Sequence, residues 1–177
     1  AAIYNYRLSL TSPEEPLELT SNMLSPGFED NSKGWVCNGF SPQSNDAFEL
    51  KEGTYYCEIW SGWGNVADGD IHQIVELPNG NYQLTVLAQN IQESNKAIPQ
   101  KGAYVYANNA RKELSLTGKY TLDFVVVDNQ AKIGVNTIGC TGNKVSIDDF
   151  HIYYTGFDDD AQFAEFRQMI QEGEALL

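Results

Sequence analysis

The chain has little cysteine, histidine or positive charge. Its three cysteines, Cys37, Cys57 and Cys140, are too few for a disulfide framework and form no Cys-x-x-Cys unit with zinc spacing. Two readings stay open: Cys37 and Cys57 pair if their strands are neighbours, or all three are small buried thiols. The two histidines, His72 and His151, each fall inside a strand-like segment, where a lone histidine is more often structural than catalytic. Lys and Arg number 11 against 24 Asp and Glu, a net charge of −13, and the densest basic cluster is Arg111-Lys112. That excludes a nucleic-acid partner, which needs a concentrated basic patch, and disfavours anionic membranes. No apolar run approaches the roughly 18 residues of a membrane span, so no membrane insertion is expected. The nucleophile elbow, the His-Glu-x-x-His helix and the phosphate-cradling glycine loop are all missing. Carboxylate pairs able to hydrolyse glycosides need only converge in space. With 24 acidic residues such pairs arise by accident, so catalysis is not expected.

Against these absences stand a hydrophobic content of 42% and ten Tyr, eight Phe and three Trp in 177 residues. The size suits one globular domain with short flanking pieces, and the aromatics lean toward strands and flat-faced ligands. Residues 1–19 hold a strand-like run from Ile3 to Leu10 and a Pro-bracketed acidic turn, read as a linker from a preceding region. Residues 20–156 read as continuous β structure, and 157–177 as an amphipathic helix.

In the middle zone Tyr82, Leu84, Val86 and Ala88 alternate, as do Tyr120, Leu122, Phe124 and Val126. Asn79-Gly80 is a turn signal between the first of these runs and Ile71–Leu77. Further strands are expected at 34–39, 47–50, 54–60, 103–106, 113–116, 131–137 and 144–154. About nine or ten short strands without crossover helices predict an all-β, antiparallel β-sandwich. A jelly roll is the choice among sandwiches, though periodicity alone does not distinguish it from an immunoglobulin-like order. After it, Asp158-Asp159-Asp160 suits a helix start, with Phe163, Phe166, Met169 and Ile170 following at helical spacing. That helix either docks on the sandwich or opens a following domain.

In the last strand the apolar positions are Val145 and Ile147, then Phe150, Ile152 and Tyr154. The change of phase predicts a β-bulge at Asp148-Asp149. A carboxylate turned inward there needs hydrogen-bond donors or a cation, and calcium is the cation that oxygen ligands suit. The alternative, which the pattern alone favours, is that both aspartates face water or cap a turn.

Taken in order, Pro26-Gly27-Phe28-Glu29, Gly34-Trp35, Glu58-Ile59-Trp60, Ile71-His72-Gln73, Leu77-Pro78-Asn79-Gly80-Asn81-Tyr82 and Ile147-Asp148-Asp149-Phe150 resemble the galactose-binding-domain-like superfamily. More narrowly, residues 18–156 resemble carbohydrate-binding modules of secreted bacterial glycan-utilisation proteins. The resemblance implies a jelly roll with a structural Ca2+ between an early Glu and a late Asp, here Glu29 and Asp149. Ser25 departs from the Asn that such modules place before the Pro. It also implies a non-catalytic module of a larger secreted or cell-surface protein, holding polysaccharide or glycan beside neighbouring domains of the same chain. A structural spacer or adhesion domain is the alternative. Sugar rings need aromatic faces together with amide or carboxylate partners. The candidates are Trp60, Trp63 and Asn65 in one glycine-softened loop, Gln89 on a neighbouring strand, and Tyr104, Tyr106 and Asn108. Trp60, directly after a strand, suits the core better; Trp63, flanked by glycines, suits exposure.

Overall fold

The computed structural model describes residues 2–176. Eleven strands form two antiparallel sheets packed face to face. The first sheet has the order β3 (Ser41–Gln43), β4 (Tyr56–Trp60), β11 (Lys144–Gly156), β6 (Gly80–Ile91) and β9 (Gly118–Val126), with β1 (Leu17–Glu18) paired to β11. The second has the order β2 (Val36–Asn38), β5 (Asp70–Glu76), β10 (Gln130–Asn136), β7 (Ala103–Ala107) and β8 (Ala110–Leu114). Only β3–β4 and β7–β8 are successive strands within one sheet; elsewhere the chain crosses between sheets at each connection. The alternating runs predicted a sandwich, and this interleaving makes it the jelly roll chosen among sandwiches.

The core follows from that alternation. Leu84 and Val86 of β6, Leu122 and Phe124 of β9, Ile133 and Val135 of β10, and Val145 and Ile147 of β11 meet between the sheets. At one end Phe28, Trp35 and Phe150 form an aromatic cluster, with Trp35 and Phe150 centroids 5.1 Å apart. The β11 bulge lies where the phase change put it. Asp148 pairs with Leu87, the next pairing is His151 with Thr85, and Asp149 takes a left-handed φ of 51°. Freed from the ladder, the Phe150 N–H donates to the Pro26 carbonyl at 3.1 Å.

Several expectations are corrected. The Ile3–Leu10 run is not a strand but lies mostly in helix α1 (Ala2–Ser9). Tyr4 and Leu8 stand four residues apart, a spacing that shares one helical face as readily as one strand face, and Leu8 packs on the core. Segment 47–50 is loop rather than strand, and its Phe48 is buried against Tyr56, the ring centroids 5.6 Å apart. Asn79-Gly80 makes no hairpin, because β5 and β6 belong to different sheets. Cys37 and Cys57 also lie in different sheets, and all three cysteines are free; Cys57 and Cys140 are buried, whereas Cys37 is exposed.

Helix α2 (Asp159–Ala175) begins as its acidic start predicted, with the Asp158 carboxylate accepting from the Asp160 and Ala161 N–H groups. It lies beside β9, and Asn109 Nδ2 donates to Glu165 Oε1 at 3.3 Å. None of its described side chains is buried; Phe163, Phe166, Met169 and Ile170 remain exposed. No helix among the described residues is long and apolar enough to cross a membrane.

Candidate functional site

Alternation in β4 and β11 builds two faces at once. Cys57, Ile59, Val145 and Ile147 enter the core, so Tyr56, Glu58, Trp60, Lys144 and Ser146 stand on the outer face of the first sheet. Register then places Trp60 opposite Lys144, and Glu58 between Ser146 on one side and Ser41 on the other. The loop carrying Phe48 roofs the Tyr56 end of this face and leaves the rest open. The result is a polar recess of about 430 Å³ lined by Ser41, Gln43, Asn45, Glu58, Trp60 and Lys144.

Glu58 forms the floor at 7% exposure. Its Oε2 accepts the Ser146 hydroxyl at 2.9 Å, and Ser146 Oγ in turn accepts from Gln89 Nε2 at 2.8 Å. The Tyr56 hydroxyl lies between Glu58 Oε2 at 3.2 Å and Asn45 Oδ1 at 2.7 Å. Burial pushes the Glu58 carboxyl above its ordinary range, while the Ser146 bond, the Lys144 charge and the Tyr56 bond pull it back. Lys144 is buried beside it, its ammonium 2.5 Å from Glu93 Oε1. Glu93 Oε2 accepts from Trp60 Nε1 at 2.8 Å and Asn143 Nδ2 at 3.3 Å. These contacts hold the Glu93 carboxyl below its usual range, the Lys144 bond contributing most.

The structure separates the sugar candidates into three groups. Trp60 is 56% exposed and lines the recess, which overturns its expected core position. Its neighbours Ile59 and Cys57 take the inward positions, so period two leaves Trp60 facing out. Trp63 follows in the same loop, 94% exposed. Asn65 is exposed too and accepts from Gln92 Nε2 at 3.2 Å. Gln89 lies behind the recess as a buried structural amide. Tyr104 and Tyr106 stand on the second sheet, away from both tryptophans. Tyr104 packs under Arg111, and the Tyr106 hydroxyl donates to Asp70 at 2.7 Å. Asn108 turns the β7–β8 hairpin at φ 51°, its amide bonded to Val125 and Lys132 backbone groups.

Sequence reasoning missed Glu58, Lys144, Ser41, Gln43 and Asn45. The alternation Tyr56-Cys57-Glu58-Ile59-Trp60 was a signal that Glu58 and Trp60 share a face. Nothing in one sequence announced that β11 would pair there and add Lys144.

At the other end of the sandwich, the inward carboxylate of the bulge belongs to Asp148, not Asp149. Asp148 is fully buried, with Oδ2 accepting from the Glu52 N–H and Oδ1 from the Asp149 N–H, each at 2.8 Å. Burial drives its pKa up to about 7; the two backbone bonds lower it, and the charges of Asp149 and Glu29 raise it further. Glu29 Oε1 accepts from the Thr54 and Tyr55 N–H groups, both at 2.8 Å, and lies so close to Gly53 that a Cβ there would stand 2.6 Å away. Asp149, expected beside Glu29, instead points to His151 Nε2 at 2.9 Å. The left-handed φ of Asp149 swings the two adjacent carboxylates apart.

By sequence, the chain matches no family model and no curated protein. By fold, it is similar to TmCBM61, a carbohydrate-binding module solved with β-1,4-galactotriose, at TM-score 0.59 and 19% identity over 75% of this chain and 97% of that one. It is also similar to a cyclase from Fischerella sp., at TM-score 0.57 and 12% identity over 81% of this chain and 99% of that one. A third similar structure is the cleaved adhesin domain of Lys-gingipain from Porphyromonas gingivalis, at TM-score 0.53 and 17% identity over 75% and 98%. The chain therefore has the β-sandwich fold of carbohydrate-binding modules, a fold that enzymes and adhesins also use.

Proposed function

We propose that this chain is a non-catalytic glycan-binding module of a secreted or cell-surface protein, with its sugar site in the recess beside Trp60. One observation carries the reading: a half-exposed tryptophan flanks a cavity whose floor and rim are hydroxyl, amide and carboxylate groups. A pyranose ring needs such a pairing, an apolar face to cover its C–H side and polar groups for its hydroxyls. Trp63, exposed three residues further on, offers a second aromatic face outside the recess. Likeness to a module holding a galactotriose supports the reading at the level of fold. A glycan array with the purified protein tests it. Trp60→Ala should weaken a specific signal by about 2 kcal/mol or more, roughly 30-fold, with the melting temperature nearly unchanged. Trp63→Ala should weaken it less. A specific glycan that binds the Trp60→Ala variant unchanged would remove the site from this face. Array silence with a folded protein favours a spacer or adhesion role, which the likeness to an adhesin domain supports.

A structural calcium is proposed with a revised donor pair, Glu29 and Asp148. Both offer hard oxygens, and the buried charge of Asp148 faces only two backbone donors. Among the described residues no three His, Cys, Asp or Glu side chains gather as a metal cluster. Backbone carbonyls would therefore complete the roughly six to eight ligands that calcium takes. Excess chelator should lower the melting temperature by mass action, and an unchanged value removes the ion from the account.

A further inference from the structure

We infer that the Trp60 recess admits uncharged glycans and excludes uronic-acid and sulfated ones, with Glu58 as the discriminating residue. The inference rests on the glycan-binding reading and specifies its ligand class. Glu58 is more than nine-tenths buried, yet it lines the cavity. Its Oε2 is engaged by Ser146 and Tyr56, whereas Oε1 meets no hydrogen-bond donor among the described residues. A carboxylate oxygen in this position can only accept, so the ligand must bring a donor. Sugar hydroxyls do so, on acidic sugars as on neutral ones, but a uronate or sulfate oxygen turned toward Glu58 does not, so the charged group itself is what the recess refuses.

Local charge points the same way. Lys144, the cation lining the recess, is held by Glu93, which leaves two carboxylates, Glu58 and Glu93, against one ammonium. Lys51 does not line the recess; its ammonium donates to the Ser44 and Asn45 carbonyls and is neutralised by Asp46. No arginine fork lines the recess, and arginine is the side chain best shaped to receive a carboxylate or sulfate. An anionic sugar would thus set like charge against like at short range with little water between them, where repulsion is strongest.

Affinity electrophoresis in native gels at pH 8 tests this. Neutral galactan, xylan, glucan and mannan are set against homogalacturonan, alginate and dextran sulfate in about 0.15 M salt, which screens the protein's overall negative charge. At least one neutral polysaccharide should retard the wild type in a Trp60-dependent way, while the three anionic polymers should not. Glu58→Gln keeps the shape and the acceptor for Ser146, but it turns a donor into the recess. It should narrow the preference for neutral over anionic polymers by roughly tenfold or more, the scale of one short-range charge repulsion. Trp60-dependent retardation of wild type by an anionic polymer at equal strength would overturn the inference and leave the glycan reading intact. So would an unchanged preference in a folded Glu58→Gln variant. If that variant does not fold, the wild-type comparison decides alone. No retardation by any polymer removes the glycan reading and this inference with it.

Discussion

One missing Cβ shapes the outer face of the second sheet. A side-chain carbon on Gly134 would stand 2.2 Å from the Ile71 carbonyl oxygen and 2.7 Å from the Tyr106 hydroxyl. Neither can yield easily: the first is backbone of the adjoining strand, and the second is fixed on Asp70 at 2.7 Å. Gly134→Ala should therefore destabilise the fold by roughly 1–3 kcal/mol, as overpacking does elsewhere, and chemical denaturation would register it. An unchanged midpoint would mean that this sheet gives more readily than its contacts imply. On the first sheet the comparable residue is Glu93, which ties Trp60 Nε1, Lys144 and Asn143 together from outside the recess. Glu93→Ala should loosen Trp60 and weaken glycan binding several-fold, with tryptophan emission shifted; the melting temperature should fall as well, because the buried Lys144 ammonium loses its partner. Full affinity in that variant would show that Trp60 is positioned by packing alone.

At the level of elements, strands with one wet and one dry face could be read directly. The runs in β6, β9, β10 and β11 carry their burial in their alternation, and the shift of phase in β11 located a bulge to the residue. Short edge elements carry no such pattern. Strand β3 is Ser41-Pro42-Gln43, three residues with a proline, and β1 is two residues; both exist because a neighbour pairs with them. Phe48 misled for a related reason, since a loop residue buried under its own loop looks like a strand residue in sequence. The binding face was half legible. Trp60 and Glu58 follow from period two, whereas Lys144 and Ser41 reach them only through strand pairing. Helix α2 was legible as a helix but not in its placement, and its exposure leads to a test. Removing residues 158–177 should change the melting temperature by only a few degrees, because no described side chain of the helix is buried. A collapse of the sandwich would mean that the contacts with β9 and Asn109 matter far more than their burial indicates.

For the whole molecule, the bulge end sets the response to pH. Asp148 has an ordinary value of 3.8 and rises to about 7 in the fold, through burial first and then the charges of Asp149 and Glu29. Between those values the folded protein holds a proton that the unfolded chain has released. Stability from this group must therefore fall as pH rises from about 4 to about 7 and level off above. His151 acts in the same direction. Burial alone would lower its pKa, but bonds to Glu18 and Asp149 and the charge of both raise it above 6.5. Its contribution is complete below that value and is lost as pH climbs through the raised one. Glu18 is held low by the same bond and by Thr20, so it titrates below this window. In chelator, the melting temperature should thus decline between pH 5 and about 7.5, and Asp148→Asn should flatten much of the slope. Calcium reverses the sign for Asp148, because an ion held by the carboxylate is displaced by the proton, so added calcium should stabilise most at the upper end of the range. Identical profiles with and without calcium would leave Asp148 a buried acid held by two backbone N–H groups, with its charge and no ion setting the pH dependence.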